Sequence, residues 1–329
     1  MGHIYNWGII GLGNIAETFA SDLGLLPNAN LYAVASRSQQ KADLFAKKHG
    51  ATHAYGCYED IVNNKDIDII YIATPHSLHF ENTSMCLMNK IPVLCEKPLA
   101  INSAEVKKMI ALSKANDTFL MEAMWTMFLP SIKKTLELVN EKAIGNIKIV
   151  RADFGIRPQK DINNRFYNNA LGGGSLLDVG IYPVFLSLLL LGMPSLIKAA
   201  AHIGPTSVDE SCGITMIYDN GQASVLFSSI VARTAMEAEI IGDRGRIIMH
   251  TGFFMPTKLT LIRENTSPEI IEPEYKGKGY LYEAEEAMHC LENGMVESKR
   301  MSHAFSIQLI KLLDSIRKEC GIRYPGHDL

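Results

Sequence analysis

Paired cysteines are missing from this chain. Cys57, Cys86, Cys95, Cys212, Cys290 and Cys320 lie far apart without a C-x-x-C pair, which argues against a disulfide or zinc framework and fits reduced, mostly buried thiols. His76 and His79 stand three apart, but no third ligand follows at a recognisable spacing, so no metal is expected. A field of one sign is lacking as well. With a formal net charge of -3 and scattered Lys and Arg, there is no basic stripe to grip a phosphate backbone, and nucleic acid is not expected as a partner. The longest apolar run, Val184 to Met193, is about half of the ~20 residues that span a bilayer. The first residues show no charged-then-apolar leader, and Asn6 stands where a myristoylation signal needs Ser or Thr. These absences together predict a cytoplasmic protein with no membrane partner.

What is present suits two cores: 329 residues, 47% hydrophobic and 20% charged. In the first third, apolar runs alternate with helical periodicity. Ile4 to Ile10 is followed by Ile15 to Leu26. Leu31 to Ala35 precedes a polar helix, Ile67 to Ile72 precedes His76 to Asn89, and Pro92 to Cys95 precedes Ser103 to Lys114. Strands alternating with helices imply a doubly wound parallel sheet of Rossmann type. After Phe119-Leu120-Met121 the rhythm changes, which puts the boundary between domains 1–123 and 124–329. From Ile147 come a long strand, a glycine-rich turn, an apolar helix and a run of strands: Leu196 to Ile203, Ser211 to Tyr218, Gln222 to Val231, Ala235 to Ile241, Arg246 to His250 and Lys258 to Ile262. Asn220-Gly221 and Gly242 to Gly245 supply hairpin turns. The second domain is therefore expected to be α+β, with a large, mostly antiparallel open sheet. In the strand from Gln222, apolar residues fall on both faces, Val225 and Phe227 opposite Leu226 and Ile230. The helix beginning near Gly174 would cover one face. A second subunit is expected on the other, giving a homodimer through this sheet, with the C-terminal helices as the rival cover.

The loop Gly11-Leu12-Gly13-Asn14-Ile15-Ala16 directly follows an apolar strand and opens a helix, the context in which G-x-G-x-x-A signifies a dinucleotide site. Gly11 permits the tight turn, Gly13 lets the pyrophosphate approach, and Ala16 allows close helix packing. The free N–H groups of the helix start then face phosphate. At the end of the second strand stand Ser36-Arg37-Ser38, with no acid for a ribose 2′-hydroxyl before Asp43. Arg37 is a fork suited to a 2′-phosphate, so NADP is expected over NAD, although NAD remains possible.

Three more segments complete the pattern: Ala73-Thr74-Pro75-His76-Ser77-Leu78-His79, Cys95-Glu96-Lys97-Pro98, and Gly172-Gly173-Gly174-Ser175-Leu176-Leu177-Asp178-Val179-Gly180-Ile181-Tyr182-Pro183. With the first loop they resemble the glucose–fructose oxidoreductase and inositol dehydrogenase (GFO/IDH/MocA) family over nearly the whole chain. Glu122-Ala123-Met124-Trp125-Thr126 and Tyr182 are most similar to its branch of dimeric dihydrodiol dehydrogenases and NADP-dependent D-xylose dehydrogenases. Many sugar-oxidising relatives carry histidine at the place of Tyr182, and Met127 stands where the branch usually has arginine.

The resemblance implies reversible hydride transfer between nicotinamide and the hydroxyl or carbonyl carbon of a small sugar, diol or dicarbonyl. Tyr182 would be the general acid/base, Lys97 its cationic helper, and Asp178 the orienting group. Thr74, Pro75, His79 and Glu96 would border the cofactor, with Trp125 and Phe154 as apolar walls and Arg157 as a substrate contact. Chemistry agrees with these roles. A tyrosine of ordinary pKa ~10 needs a neighbouring cation to work near neutrality, and Asp178 and Tyr182, four apart on a helix, share a face. Pro183 beside Gly180 predicts a kink there. Plainer roles stay open: Lys97 as an ion-pair partner of Glu96, Asp178 as a helix-start charge, Tyr182 and Trp125 as core aromatics. Two other functions also stay open. One is a dinucleotide-sensing regulator on the same fold, which would be expected to lack Lys97. The other is a dehydrogenase of cyclic polyols or phosphate-linked sugars, for which Arg151, Arg157, Lys160 and Arg165 are the nearest basic residues.

Overall fold

Apolar strands that stop at glycine, and helices opened by short polar side chains, set the order of the first unit. The structure is a computed structural model and describes residues 2–161 and 164–328. Its elements begin β1 (Tyr5–Ile10), α1 (Asn14–Leu23), β2 (Ala29–Ala35), α2 (Gln39–His49), β3 (His53–Tyr55), β4 (Ile69–Ile72), α3 (His79–Met88), β5 (Val93–Glu96), α4 (Ser103–Ala115) and β6 (Leu120–Ala123). Ser38 opens α2 by accepting the Lys41 N–H, and Asn102 opens α4 by accepting that of Glu105 at 2.9 Å. All pairs in this sheet are parallel, in the order β3-β2-β1-β4-β5-β6. The strand order reverses beside β1, the place where such sheets collect ligands at their carboxyl ends. Ile10 pairs with Ile72 and Ile72 with Cys95, so the loops leaving β1, β4 and β5 start level with one another. The core beneath holds Trp7, Phe19 and Tyr71, the last two stacked at 3.8 Å.

The chain continues through α5 (Pro130–Asn140), β7 (Ile147–Gly155), α6 (Ile181–Leu191), β8 (Leu196–Ile203), β9 (Asp209–Ile217), β10 (Ala223–Ser229), β11 (Ala238–Gly242), β12 (Gly245–Met249), β13 (Leu259–Arg263), β14 (Glu269–Ile271), α7 (Leu281–Glu292) and α8 (His303–Cys320). The second sheet runs β14-β13-β12-β11-β7-β10-β9-β8. It is antiparallel except where β7 meets β10, as expected of a mostly antiparallel open sheet. A wide π-type turn at Leu176–Gly180 leads into α6 just before Pro183, the irregularity that a proline without an N–H and a glycine foreshadowed. The helical stretch Asn169–Leu191 is apolar and long enough to cross a bilayer by length and composition, yet 83% of its most apolar window is buried in the fold. It is a core helix.

Alternation along β10 separates the two sheet faces. Leu226 and Ser228 point to the face packed by α6, while Val225 and Phe227 are 52% and 39% exposed on the other. The end of α8 reaches the packed face: Cys320 Sγ lies 3.8 Å from Cys212 Sγ, two thiols that sequence separation did not pair.

The chain divides into two compact units, Met1–Phe128 with Lys276–Ile307, and Leu129–Tyr275 with Gln308–Leu329. A division into 1–123 and 124–329 therefore misses the return of the segment holding α7 to the first unit. A buried carboxylate is one of the groups that hold it there. Asp22 on α1, 3% exposed, accepts the backbone N–H groups of Lys278 at 2.9 Å and Tyr280 at 2.8 Å.

Candidate functional site

In the first unit, the turn after β1 has the form that a dinucleotide pyrophosphate requires. Gly11 has φ +90°, and a Cβ there would lie 2.8 Å from the backbone of Ala73 and Thr74. Leu12 is buried beside it. Gly13 differs: a Cβ there would meet nothing within 4 Å. It opens α1 without a side-chain cap, so the N–H groups of Asn14 and Ile15 are left to a ligand in front of the helix. This open cradle fits a dinucleotide phosphate. At the end of β2, Ser36 is buried and donates its N–H to Tyr55, while Arg37 is exposed. Tyr58 lies beside Arg37; burial raises its hydroxyl pKa and the guanidinium opposes the rise. The first acid downstream, Asp43, is engaged by Gln39 at 2.8 Å.

The loops after β4 and β5 are tied by side chains from below. Thr74 is buried, its hydroxyl accepting from Asn82 at 3.2 Å, and Pro75 is half-buried. His79 is wholly buried, with ring nitrogens 2.9 Å from the Thr74 carbonyl and 2.8 Å from that of Pro98. It therefore staples the two loops together. Glu96 accepts the Tyr71 hydroxyl at 2.5 Å and the Lys97 N–H at 3.1 Å, and Lys97 itself is half-buried.

Two further carboxyls stand near this turn. Glu122 accepts the Leu99 N–H at 2.9 Å; burial pushes its pKa up to about 7, and the Glu96 charge adds to the rise. Glu283 on α7 is fully buried and held well above the carboxylate range, by burial first and then by the charges of Glu96 and Asp22. Trp125 stacks on Tyr280 at 4.2 Å with planes 8° apart. Tyr71, Tyr280 and Glu283 carry no signal in local sequence pattern, since tertiary packing alone brings them here.

In the second unit, Tyr182 at the start of α6 is 6% exposed. Its ring centroid lies 5.5 Å from Phe154 on β7 and 5.1 Å from Phe254, and these two phenylalanines stack at 3.8 Å. Phe254 sits in a loop without periodicity and was not anticipated. Asp178, one turn before Tyr182, is 4% exposed and takes a forked pair from Arg165 at 3.0 and 3.1 Å. Arg157 is exposed. Thus Tyr182, Phe154, Asp178 and Arg165 belong to one unit, and the glycine loop, Arg37, Thr74, Pro75, His79, Glu96, Lys97 and Trp125 to the other.

A dinucleotide fold followed by a large open sheet with a buried tyrosine at its helix start defines a nicotinamide-dependent oxidoreductase. The family model described as "Oxidoreductase family, NAD-binding Rossmann fold" matches residues 5–124, and the GFO/IDH/MocA C-terminal domain matches residues 132–248. The chain belongs to the GFO/IDH/MocA oxidoreductase family. It is 36% identical to the trans-1,2-dihydrobenzene-1,2-diol dehydrogenase of Xenopus tropicalis, covering 97% of this chain and 99% of that one. The human enzyme of the same name is 31% identical, over 97% of this chain and 98% of that one. Among solved structures, the aldose-aldose oxidoreductase of Caulobacter crescentus superposes with a TM-score of 0.88 at 23% identity, covering 97% of this chain and 98% of that one. A 3-ketoreductase of Actinomadura kijaniata, solved with NADP and TDP-benzene, gives a TM-score of 0.86 at 24% identity with the same coverage. Both structures support the fold.

Proposed function

We propose that this oxidoreductase transfers hydride between NADP and the hydroxyl or carbonyl carbon of a small uncharged diol, sugar or dicarbonyl, with Tyr182 as general acid/base and Lys97 as its cationic helper. One observation carries the reading: Tyr182 presents a polar hydroxyl within an aromatic wall, Phe154 and Phe254, one helical turn after a buried carboxylate. Bound nicotinamide supplies the hydride donor or acceptor. In the oxidising direction, Tyr182 takes the substrate hydroxyl proton as the C–H hydride leaves, and the Lys97 ammonium favours the phenolate. Asp178, anchored by Arg165, orients the substrate or the tyrosine. Trp125 and Phe154 serve as apolar walls, and Arg157 as a substrate contact.

Charge pairing favours an uncharged substrate over a phosphate-linked sugar. Arg151 pairs with Glu239 at 3.0 Å, Lys160 with Glu210 at 2.6 Å and Arg165 with Asp178 at 3.0 Å, so three of the four candidate cations already face a carboxylate. The full-length relatives named as dihydrodiol dehydrogenases point the same way. NADP is proposed over NAD because Arg37 is exposed at the end of β2 with no acid in the ribose position. A homodimer is proposed through the open sheet face, where Ile149, Leu196, Ile217, Val225 and Phe227 are 36% to 52% exposed.

The test is a panel of trans-diols, aldoses and dicarbonyls, each offered with NADP or NADPH and followed by nicotinamide absorbance. Turnover of uncharged members, and none of phosphorylated ones, is expected. NADPH binding without turnover of any member would sink the enzymatic reading and favour a sensor.

A further inference from the structure

The helical stretch that carries Asp178 and Tyr182 receives no cap from its own first residue, because the Ser175 side chain does not turn back to the helix. Its cap comes from another strand. Asp209, the first residue of β9, accepts the Leu176 N–H and the Ser175 hydroxyl, each at 2.7 Å. The Ser175 oxygen lies a further 3.0 Å from that of Ser228 on β10. Gly174 makes the approach possible. It has φ +117°, and a Cβ there would stand 2.2 Å from Asp209 Oδ1. At the far end of the turn, a Cβ on Gly180 would stand 2.9 Å from Ser228 Oγ. The turn thus rests on two strands at once.

Asp209 is 0% exposed, and its Oδ1 has no hydrogen-bond partner among the described residues. A buried carboxylate without a paired cation costs stability, and replacing such groups is often neutral or stabilising. Its presence there calls for another reason. We infer that Asp209 is a positioning residue for the active site: its carboxylate holds the start of the Asp178–Tyr182 turn against β9 and so fixes where the tyrosine hydroxyl stands. The inference rests on the reading in which Asp178 and Tyr182 act on substrate.

Burial raises the Asp209 pKa to about 6, so the group is charged at neutral pH and takes up a proton just below it. The titratable groups that face it are Tyr324 from the C-terminal segment, Cys212 on its own strand and Cys320 at the end of α8. All three are held above their usual pKa values, mainly by burial, and are neutral at pH 7. Glu210, the next residue on β9, is paired with Lys160. Protonation of Asp209 therefore turns a charge-assisted cap into a weaker neutral one, while the buried guanidinium of Arg317, over the Tyr324 ring at 4.7 Å, pairs with Asp314 and Asp328.

The experiment compares the full-length wild type with Asp209→Ala, Asp209→Asn and Ser175→Ala. Hydrogen exchange of the amides at 176–182 and the pH profile of kcat are the two readouts. Asp209→Ala is expected to speed exchange in that segment and to lower kcat by about 10²-fold, the cost of a misplacement of about 1 Å, with a smaller change in KM. Ser175→Ala, which removes one of the two bonds and stands in should Asp209→Ala not fold, shows the same changes in reduced degree. Asp209→Asn keeps an acceptor but not the charge, and should abolish the acid limb near pH 6 that is expected of the wild type. Unchanged exchange in Asp209→Ala or Ser175→Ala, or a limb that persists in Asp209→Asn, would overturn the inference. Exchange is read without turnover, so it decides the role of Asp209 independently of a parallel Tyr182→Phe assay, which decides the catalytic reading.

Discussion

The two units present their candidate site residues by different means. In the first, the cofactor cradle is local. Gly11, Gly13 and Ala16 follow one strand in fixed order, and the backbone itself is the proposed binding surface. In the second, Tyr182 and Asp178 owe their setting to partners far away in sequence: Phe154, Arg165, Asp209 and Phe254. A backbone site is defined by which residues are small, and a side-chain site by what packs against it. The first kind should fail sharply at single glycines, the second gradually through its supports.

Two neighbouring glycines provide the strongest way to break that contrast. Gly11→Ala puts a Cβ 2.8 Å from the backbone at Ala73 in a left-handed conformation, so it should destabilise the fold by about 2 kcal/mol or more and abolish dinucleotide binding. Gly13→Ala meets open space. It should leave thermal unfolding nearly unchanged while weakening NADPH binding at least ~10-fold, because the added methyl occupies the phosphate approach. Calorimetric titration with parallel melting separates the two. Equal effects of both substitutions on stability would contradict the local reading.

Arg37→Asp sharpens the same half. It should cut kcat/KM for NADP by about 10- to 100-fold and spare NAD, since it replaces a phosphate fork with a repelling charge. An unchanged cofactor ratio would leave Arg37 as a solvated strand end. Phe227→Asp probes the second unit at the open sheet face. A dimer mass by light scattering that falls to one chain, with the monomer still folded, is the expected outcome. A wild type already monomeric at micromolar concentration would remove the dimer.

The most gradual effect concerns the buried acids. For Glu122 the folded pKa of about 7 lies above the ordinary 4.5, so between them the native state holds a proton that the unfolded chain has released. Stability should therefore fall as pH rises from about 4.5 to 7, by roughly 3 kcal/mol for this group. Asp209 contributes in the same direction between 3.8 and about 6. Glu122→Gln should flatten its share of the slope in melts taken across that range. A slope of the opposite sign would show that ion pairing, rather than burial, governs these carboxyls.

The same contrast explains how much was legible in the sequence. The parallel sheet, the glycine loop and the exposed Arg37 could be read because strand period and turn chemistry act within a few residues. The mostly antiparallel second sheet was legible from its hairpins, and the kink before Pro183 from a missing N–H. What escaped depends on distant contacts. The return of 276–307 to the first unit rests on distant contacts, among them Asp22, a single acid in an otherwise ordinary helix, and the backbone bond from Leu120 to Val296. His79 proved to be a buried staple of two carbonyls, a role that its position after Thr74-Pro75 does not reveal. Asp209 lay two residues before the strand as read from Ser211, and no local pattern distinguishes a buried acid from a loop acid. Phe254 and Glu283 follow the same rule.

The other catalytic roles depend on the proposal that Tyr182 moves the proton that accompanies hydride transfer. It is tested most directly by the kcat of Tyr182→Phe with NADP and whichever diol or sugar the wild type turns over, alongside the NADPH dissociation constant. A kcat lower by about 10²- to 10⁴-fold, the range typical of general acid–base catalysis, is expected, with NADPH affinity unchanged. A phenylalanine variant that turned over within about 3-fold of wild type would contradict it.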